Sequence, residues 1–305
     1  MTNLTGSIVA LVTPFCADGS VDFAALERLV DFHLASGTDG ILVLGTTGES
    51  STMTDEEDLE VARCVVERVA GRVPVIGGAG SNATFESQRK AAGLVRLGVD
   101  GLLLITPYYN KSNEEGIYRH FTAVLDQVDV PCILYNIPGR TGCSISERNL
   151  ARLAAHPNAW GIKEASGSIE YATMAARYLT DDFRMFSGND DIVVPLMSLG
   201  ARGVISVWAD VAPATVHKMC ADFLAGDVAA ARAAQLANLE LVHALFCEVN
   251  PIPIKAALRL SGLDVGHCRL PLTDPTPEHL ELLKQMVGAT VRTEPQENHT
   301  DPGTP

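Results

Sequence analysis

The sequence is poor in positive charge and in aromatic residues, and it has no long apolar run. Lys and Arg number 23 against 37 Asp and Glu, for a formal charge of −14 and a pI near 4.9. Binding a nucleic acid needs clustered cations to neutralise phosphates, and no such cluster occurs, so no nucleic-acid partner is expected. No basic segment precedes the first apolar stretch, and Thr13-Pro14 interrupts it early, which argues against a secretory signal or a membrane span. The seven cysteines (Cys16, Cys64, Cys132, Cys143, Cys220, Cys247 and Cys268) form no C-x-x-C pair, and their odd number leaves at least one unpaired. A reduced, cytoplasmic setting is the expectation. The eight histidines lack H-x-H and H-E-x-x-H spacing, so no metal is expected and most should lie at the surface. A dinucleotide fingerprint is also missing, because Gly78-Ala79-Gly80 runs into Ser81-Asn82-Ala83 with no third glycine in register.

What is present is alternation. With 47% apolar and 20% charged residues, the chain has the make-up of a soluble globular protein with a large core. Short β-branched or leucine-rich runs predict strands at 7–12, 40–44, 73–77, 101–105, 132–136, 160–164, 183–187 and 203–207, whose starts are 20 to 33 residues apart. That is the length a strand–helix unit needs. Eight such units predict a (β/α)8 TIM barrel; the rival, a doubly wound open sheet, would need a switch point and the absent fingerprint. Between strands, Phe23, Leu26, Val30 and Leu34 recur at helical spacing before Gly37, and Thr54-Asp55-Glu56-Glu57 and Ser112-Asn113-Glu114-Glu115 match the capping box. After Val207 the spacing predicts helices at 213–224, 227–247, 251–261 and 276–287. The first should close the barrel, dividing the chain into a barrel (1–225), an appended helical region (226–290) and a disordered tail (291–305).

Only six lysines occur, and five of them (Lys90, Lys111, Lys218, Lys255 and Lys284) fall in stretches that read as helices or loops. Lys163 alone sits inside an apolar strand, Trp160-Gly161-Ile162-Lys163-Glu164. Burying an ammonium is costly and lowers its pKa, which makes sense if the amine must be neutral to attack a ketone. The bland alternative is a lysine snorkelling from a strand end. In a barrel of this kind the chemistry lies at the C-terminal ends of the strands, and three other ends carry suitable groups. Gly45-Thr46-Thr47-Gly48-Glu49-Ser50 offers two hydroxyls and free backbone N–H groups to a carboxylate. Thr106-Pro107-Tyr108-Tyr109-Asn110 and Tyr135-Asn136-Ile137-Pro138 offer phenols for proton transfer, and Arg140 offers a guanidinium to a second acid.

Gly45-Thr46-Thr47-Gly48-Glu49, Tyr135-Asn136-Ile137-Pro138 with Arg140-Thr141-Gly142, and Gly161-Ile162-Lys163-Glu164-Ala165 resemble the signatures of the dihydrodipicolinate synthases, within the pyruvate-dependent class I aldolases that include N-acetylneuraminate lyase. The resemblance runs from about Gly6 to the last helix. It implies an imine between Lys163 and pyruvate, with no separate cofactor, and attack of the derived enamine on L-aspartate 4-semialdehyde. Tyr135 would exchange protons through Thr47 and Tyr109, the latter reaching in from a neighbouring subunit of a homotetramer. Thr46, Thr47, Gly188 and the backbone at Ile205 would hold pyruvate, and Arg140 the carboxylate of the semialdehyde. Ser50, Gly80, Asn82, Glu86 and Tyr108 match the lysine-binding pattern of feedback-inhibited relatives. Asp55 and Asp58 depart from it where sensitive enzymes often carry histidine, so weak or absent inhibition is expected. Sugar-acid lyases of the superfamily generally lack the arginine, and sialic-acid lyases typically show Ser-Thr in place of Thr46-Thr47. A lyase acting on N-acetylneuraminate or a 2-keto-3-deoxy sugar acid is the enzymatic alternative, and a non-catalytic keto-acid sensor the other.

Overall fold

The computed structural model describes residues 4–290, so the tail expected at 291–305 lies outside the described residues. Eight strands among them pair in parallel in sequence order: β1 (Gly6–Ala10), β2 (Gly40–Val43), β3 (Val75–Gly78), β4 (Gly101–Ile105), β5 (Cys132–Asn136), β6 (Ala159–Glu164), β7 (Arg184–Ser187) and β8 (Gly203–Ser206). β8 pairs with β1, which closes the barrel. One apolar core, with Leu26, Phe121, Phe183 and Trp208, fills the space between strands and helices. A smaller one, with Ile8, Leu42, Ile76, Ile133, Phe186 and Ile205, fills the barrel itself.

The strand ends shift from expectation for local reasons. β2 stops before Leu44, whose φ of 60° takes the chain out of the sheet. β3 begins only after Pro74, which has no N–H to give the ladder. β8 ends at Ser206 because the next two N–H groups, of Val207 and Trp208, go to Asp190 Oδ2 at 3.0 and 2.9 Å. In β6 the register to β5 slips between Cys132 and Ile133, so that Trp160 is a bulge residue.

The helix Asp55–Val69 has the full capping box of Thr54 and Glu57. The second expected box does not form. Asn113, not Ser112, caps the helix Glu114–Leu125 by accepting from the Gly116 N–H at 2.8 Å, while Glu115 turns to Arg119 and Arg152. The single helix expected at 227–247 is two, Val228–Ala237 and Leu239–Ala244. They are separated at Asn238, whose amide donates back to the Ala234 carbonyl at 2.9 Å and competes with the backbone. The helix Pro213–Leu224 packs on β1, as barrel closure requires. The helix Ile252–Leu260 is buried on almost every side, and its approach brings the appended region onto the barrel mouth.

Candidate active site

The bulge at Trp160 decides which way Lys163 points. Trp160 turns into the barrel and stacks on Phe186 with ring centroids 5.7 Å apart. Beyond it the strand alternates normally, sending Ile162 to the helix-side core and Lys163 inward, opposite Tyr135 on β5. The Lys163 Nζ stands 4.5 Å from the Tyr135 ring centroid and makes no ion pair among the described residues. Burial pushes its ammonium down to about 8; the Asp190 carboxylate opposes that fall and the Arg140 guanidinium adds to it. Burial likewise pushes the Tyr135 phenol up to about 12, with Arg140 and a hydrogen bond from Thr46 acting the other way. Gly188 follows β7 beside the amine. A Cβ there would come within 2.9 Å of Lys163 Cε and 2.6 Å of Ala165 Cβ, so the loop can approach only as glycine.

The two threonines divide the work differently from the expectation that Thr47 relays protons to Tyr135. Thr46 is the hydrogen-bond neighbour of the Tyr135 phenol. The Thr47 hydroxyl is buried on the other side of the turn, where it accepts from Asn250 Nδ2 at 3.0 Å. Successive residues of a tight turn present their side chains in different directions, and motif spacing does not reveal which faces the phenol. Arg140, on the short helix Pro138–Thr141, donates from Nη2 to the Asn250 carbonyl at 3.0 Å. Ile205 lies in the barrel interior one residue before the end of β8. Tyr109 does not enter its own mouth: it is 89% exposed, with φ at 71°.

A cavity of about 210 Å³ joins Thr46, Tyr135 and Arg140 to Ser50, Gly80 and Tyr108. Tyr135, with Thr46 and Arg140 of the expected substrate site, therefore shares one space with three of the five expected effector residues. Asn82 and Glu86 are not among its lining residues: the Asn82 carbonyl accepts from Asn110 at 2.9 Å, and Glu86 bonds to Arg89. Asp55 and Asp58 are each paired, with Arg89 at 2.5 Å and Lys90 at 2.9 Å. Asp58 is buried, and desolvation outweighs Lys90 to lift its carboxyl to about 6.

Sequence reasoning missed several groups around the mouth. Lys255 is fully buried and pairs with Glu49 at 2.7 Å, and Glu49 also accepts from the Arg269 N–H at 2.9 Å. The signal was available, since Ile254, Ala256, Ala257 and Leu258 surround Lys255 with apolar residues on all helical faces. Asn250 had no such signal. Asp190, whose charge acts on Lys163, and Asp210 are both buried with their carboxyls raised by desolvation, and His33 Nε2 lies 3.9 Å from Asp210. His33 and His120 are buried, while the other described histidines are not, in keeping with the expectation for most of them; burial drives His33 down to about 3. The seven cysteines are all free thiols. No described helix is long and apolar enough to cross a membrane.

This geometry has close counterparts. A 4-hydroxy-tetrahydrodipicolinate synthase of Caldicellulosiruptor bescii is 49% identical over 285 residues, covering 93% of this chain and 96% of that protein. The dihydrodipicolinate synthase of Acinetobacter baumannii, solved as a complex with pyruvate, superposes with a TM-score of 0.91 at 41% identity, over 94% of this chain and 98% of the other. The lysine-bound enzyme of Cyanidioschyzon merolae does so with a TM-score of 0.91 at 42% identity and the same coverage. The model of the dihydrodipicolinate synthetase family matches residues 3–290. With nearly the whole chain matched in sequence and in fold, this protein belongs to the dihydrodipicolinate synthetase family.

Proposed function

We propose that this protein condenses pyruvate with L-aspartate 4-semialdehyde to 4-hydroxy-tetrahydrodipicolinate, in lysine and diaminopimelate biosynthesis. The observation that carries the proposal is Lys163, a buried amine without an ion pair among the described residues, its pKa lowered toward neutrality, facing a buried phenol at the C-terminal end of a barrel strand. Its neutral form adds to the ketone of pyruvate, and loss of water gives a protonated imine that draws electrons from C3. Tyr135 takes the C3 proton while its own moves out through its hydrogen-bond partner Thr46, and the phenol returns a proton to the aldehyde oxygen as the enamine attacks. No cofactor takes part, because the imine is itself the electron sink. Thr47, Gly188 and the Ile205 backbone border the pyruvate moiety. Arg140 receives the semialdehyde carboxylate, which an arginine fork fits well.

The proposal extends to a cytoplasmic homotetramer in which Tyr109 serves a neighbouring copy. Its support is a tyrosine 89% exposed at a strained φ, with Phe85 65% exposed on the preceding strand–helix unit. The test of function is reductive trapping with pyruvate and borohydride, followed by consumption of L-aspartate 4-semialdehyde. A pyruvate adduct on Lys163 and turnover lost in Arg140→Ala are expected. No adduct would remove the imine mechanism, and full activity in the variant would remove Arg140 from substrate recognition.

A further inference from the structure

We propose that Asn250, a residue of the appended helical region, is a positioning residue that fixes the direction of the Thr47 proton and so sets the affinity for the keto-acid carboxylate. The proposal rests on the functional reading above. Asn250 is 6% exposed and reaches the barrel mouth with two different groups. Its side-chain Nδ2 donates to Thr47 Oγ1 at 3.0 Å, and its main-chain carbonyl accepts from Arg140 Nη2 at 3.0 Å. One residue thereby touches a group assigned to each substrate.

The consequence follows from what a hydroxyl has to offer. Threonine carries one proton and two lone pairs, and an amide N–H can only donate. Because Thr47 accepts from Asn250, its own proton points elsewhere, and among the described residues no protein acceptor takes it. Three other buried threonines spend that proton on the backbone, Thr13 on the Gly48 carbonyl at 2.7 Å, Thr38 on the Gly40 carbonyl at 3.1 Å and Thr141 on the Ile137 carbonyl at 3.1 Å, whereas Thr106 is buried without a partner. Thr47, 3% exposed, holds its proton in reserve in a place where an unmet donor is costly. An anionic acceptor such as a carboxylate satisfies it. The Asn250 Oδ1 is also buried without a partner, so among the described residues the one hydrogen bond of this side chain is to Thr47.

Because the side chain serves Thr47 and the main chain serves Arg140, a side-chain substitution separates the two substrates. In Asn250→Asp an ionised carboxylate can only accept, so Thr47 swings round to donate to it and the keto acid loses its donor. We expect the pyruvate concentration for half-maximal trapping on Lys163 to rise about tenfold or more in Asn250→Asp, as for a lost hydrogen bond to a charged group. It should fall back toward the wild-type value as pH is lowered and the introduced carboxylate regains a proton to donate, a recovery that a packing defect would not show. The KM for the semialdehyde should stay within about twofold, the scatter expected where Arg140's own contact is untouched. Thr47→Val combined with Asn250→Asp should cost no more than Thr47→Val alone, since residues acting through one contact are not additive. That comparison decides the matter even if Asn250→Asp is less stable. Unchanged half-saturation in Asn250→Asp, an increase that does not depend on pH, or additive losses in the double variant would each overturn the proposal. Trapping needs only pyruvate, so a wild-type adduct without semialdehyde turnover would refute the substrate assignment while still deciding Asn250. No adduct in the wild type would sink both.

Discussion

The buried amine of Lys163 makes a quantitative prediction about pH. An ordinary lysine at 10.5 is neutral in about one molecule in three thousand at pH 7, whereas one at about 8 is neutral in about one in ten, some 300-fold more. The rate of reductive trapping by saturating pyruvate should therefore climb about tenfold per pH unit below 8 and flatten above it. Asp190→Asn, which removes the carboxylate that favours the ammonium, should move the midpoint lower. The chain supplies its own control. Lys255 is more deeply buried than Lys163, but its ammonium is paired with Glu49 at 2.7 Å, so it should carry no adduct. Mass spectrometry of peptides trapped between pH 6 and 10 measures both points. A midpoint at or above 10, or an adduct on Lys255, would refute the argument that an unpaired buried amine is the nucleophile.

The same burial affects stability. The difference between 10.5 unfolded and about 8 folded is worth about 3 kcal/mol. Below pH 8 both states are protonated and the folded chain bears this cost in full. Between pH 8 and 10.5 the folded amine deprotonates first, the unfolded chain binds more protons, and stability rises with pH. Lys163→Met should accordingly raise the urea midpoint at pH 7, with the gain shrinking above pH 8. An equal gain at every pH would show that packing rather than charge is responsible.

Three further outcomes are expected. Glu49→Gln and Lys255→Met should each cost about 3–5 kcal/mol, because each strands a buried charge, and the double variant should recover part of the loss; thermal melts of the three variants test this. Tyr135→Phe should lower kcat by about a hundred- to ten-thousand-fold while the Lys163 adduct still forms, so kinetics and trapping together separate proton transfer from imine formation. Lysine at millimolar concentration should leave the rate unchanged, since Asp55 and Asp58 are held by Arg89 and Lys90. A half-effect below millimolar would show that the effector site works despite these pairs.

The sequence by itself determined the barrel and the lysine set in its sixth strand. Strand and helix periodicity is short-range, a matter of neighbours two to four residues apart, so the eight strands, the Thr54 cap and the position of Lys163 within β6 were all legible. The same holds for the residue types gathered at strand ends, because one fold rule sends those ends to a common mouth. Tertiary structure decided the rest. Whether Lys163 points inward depends on a one-residue slip between β5 and β6, which reverses every side chain beyond it. That Thr46 rather than Thr47 meets the phenol depends on the direction of a turn. The partners of Thr47 and Glu49 lie some 200 residues away, at Asn250 and Lys255, where no local pattern couples them. Closure of the barrel and the return of the helical region over its mouth bring them together, and such contacts exist only once the whole chain has folded.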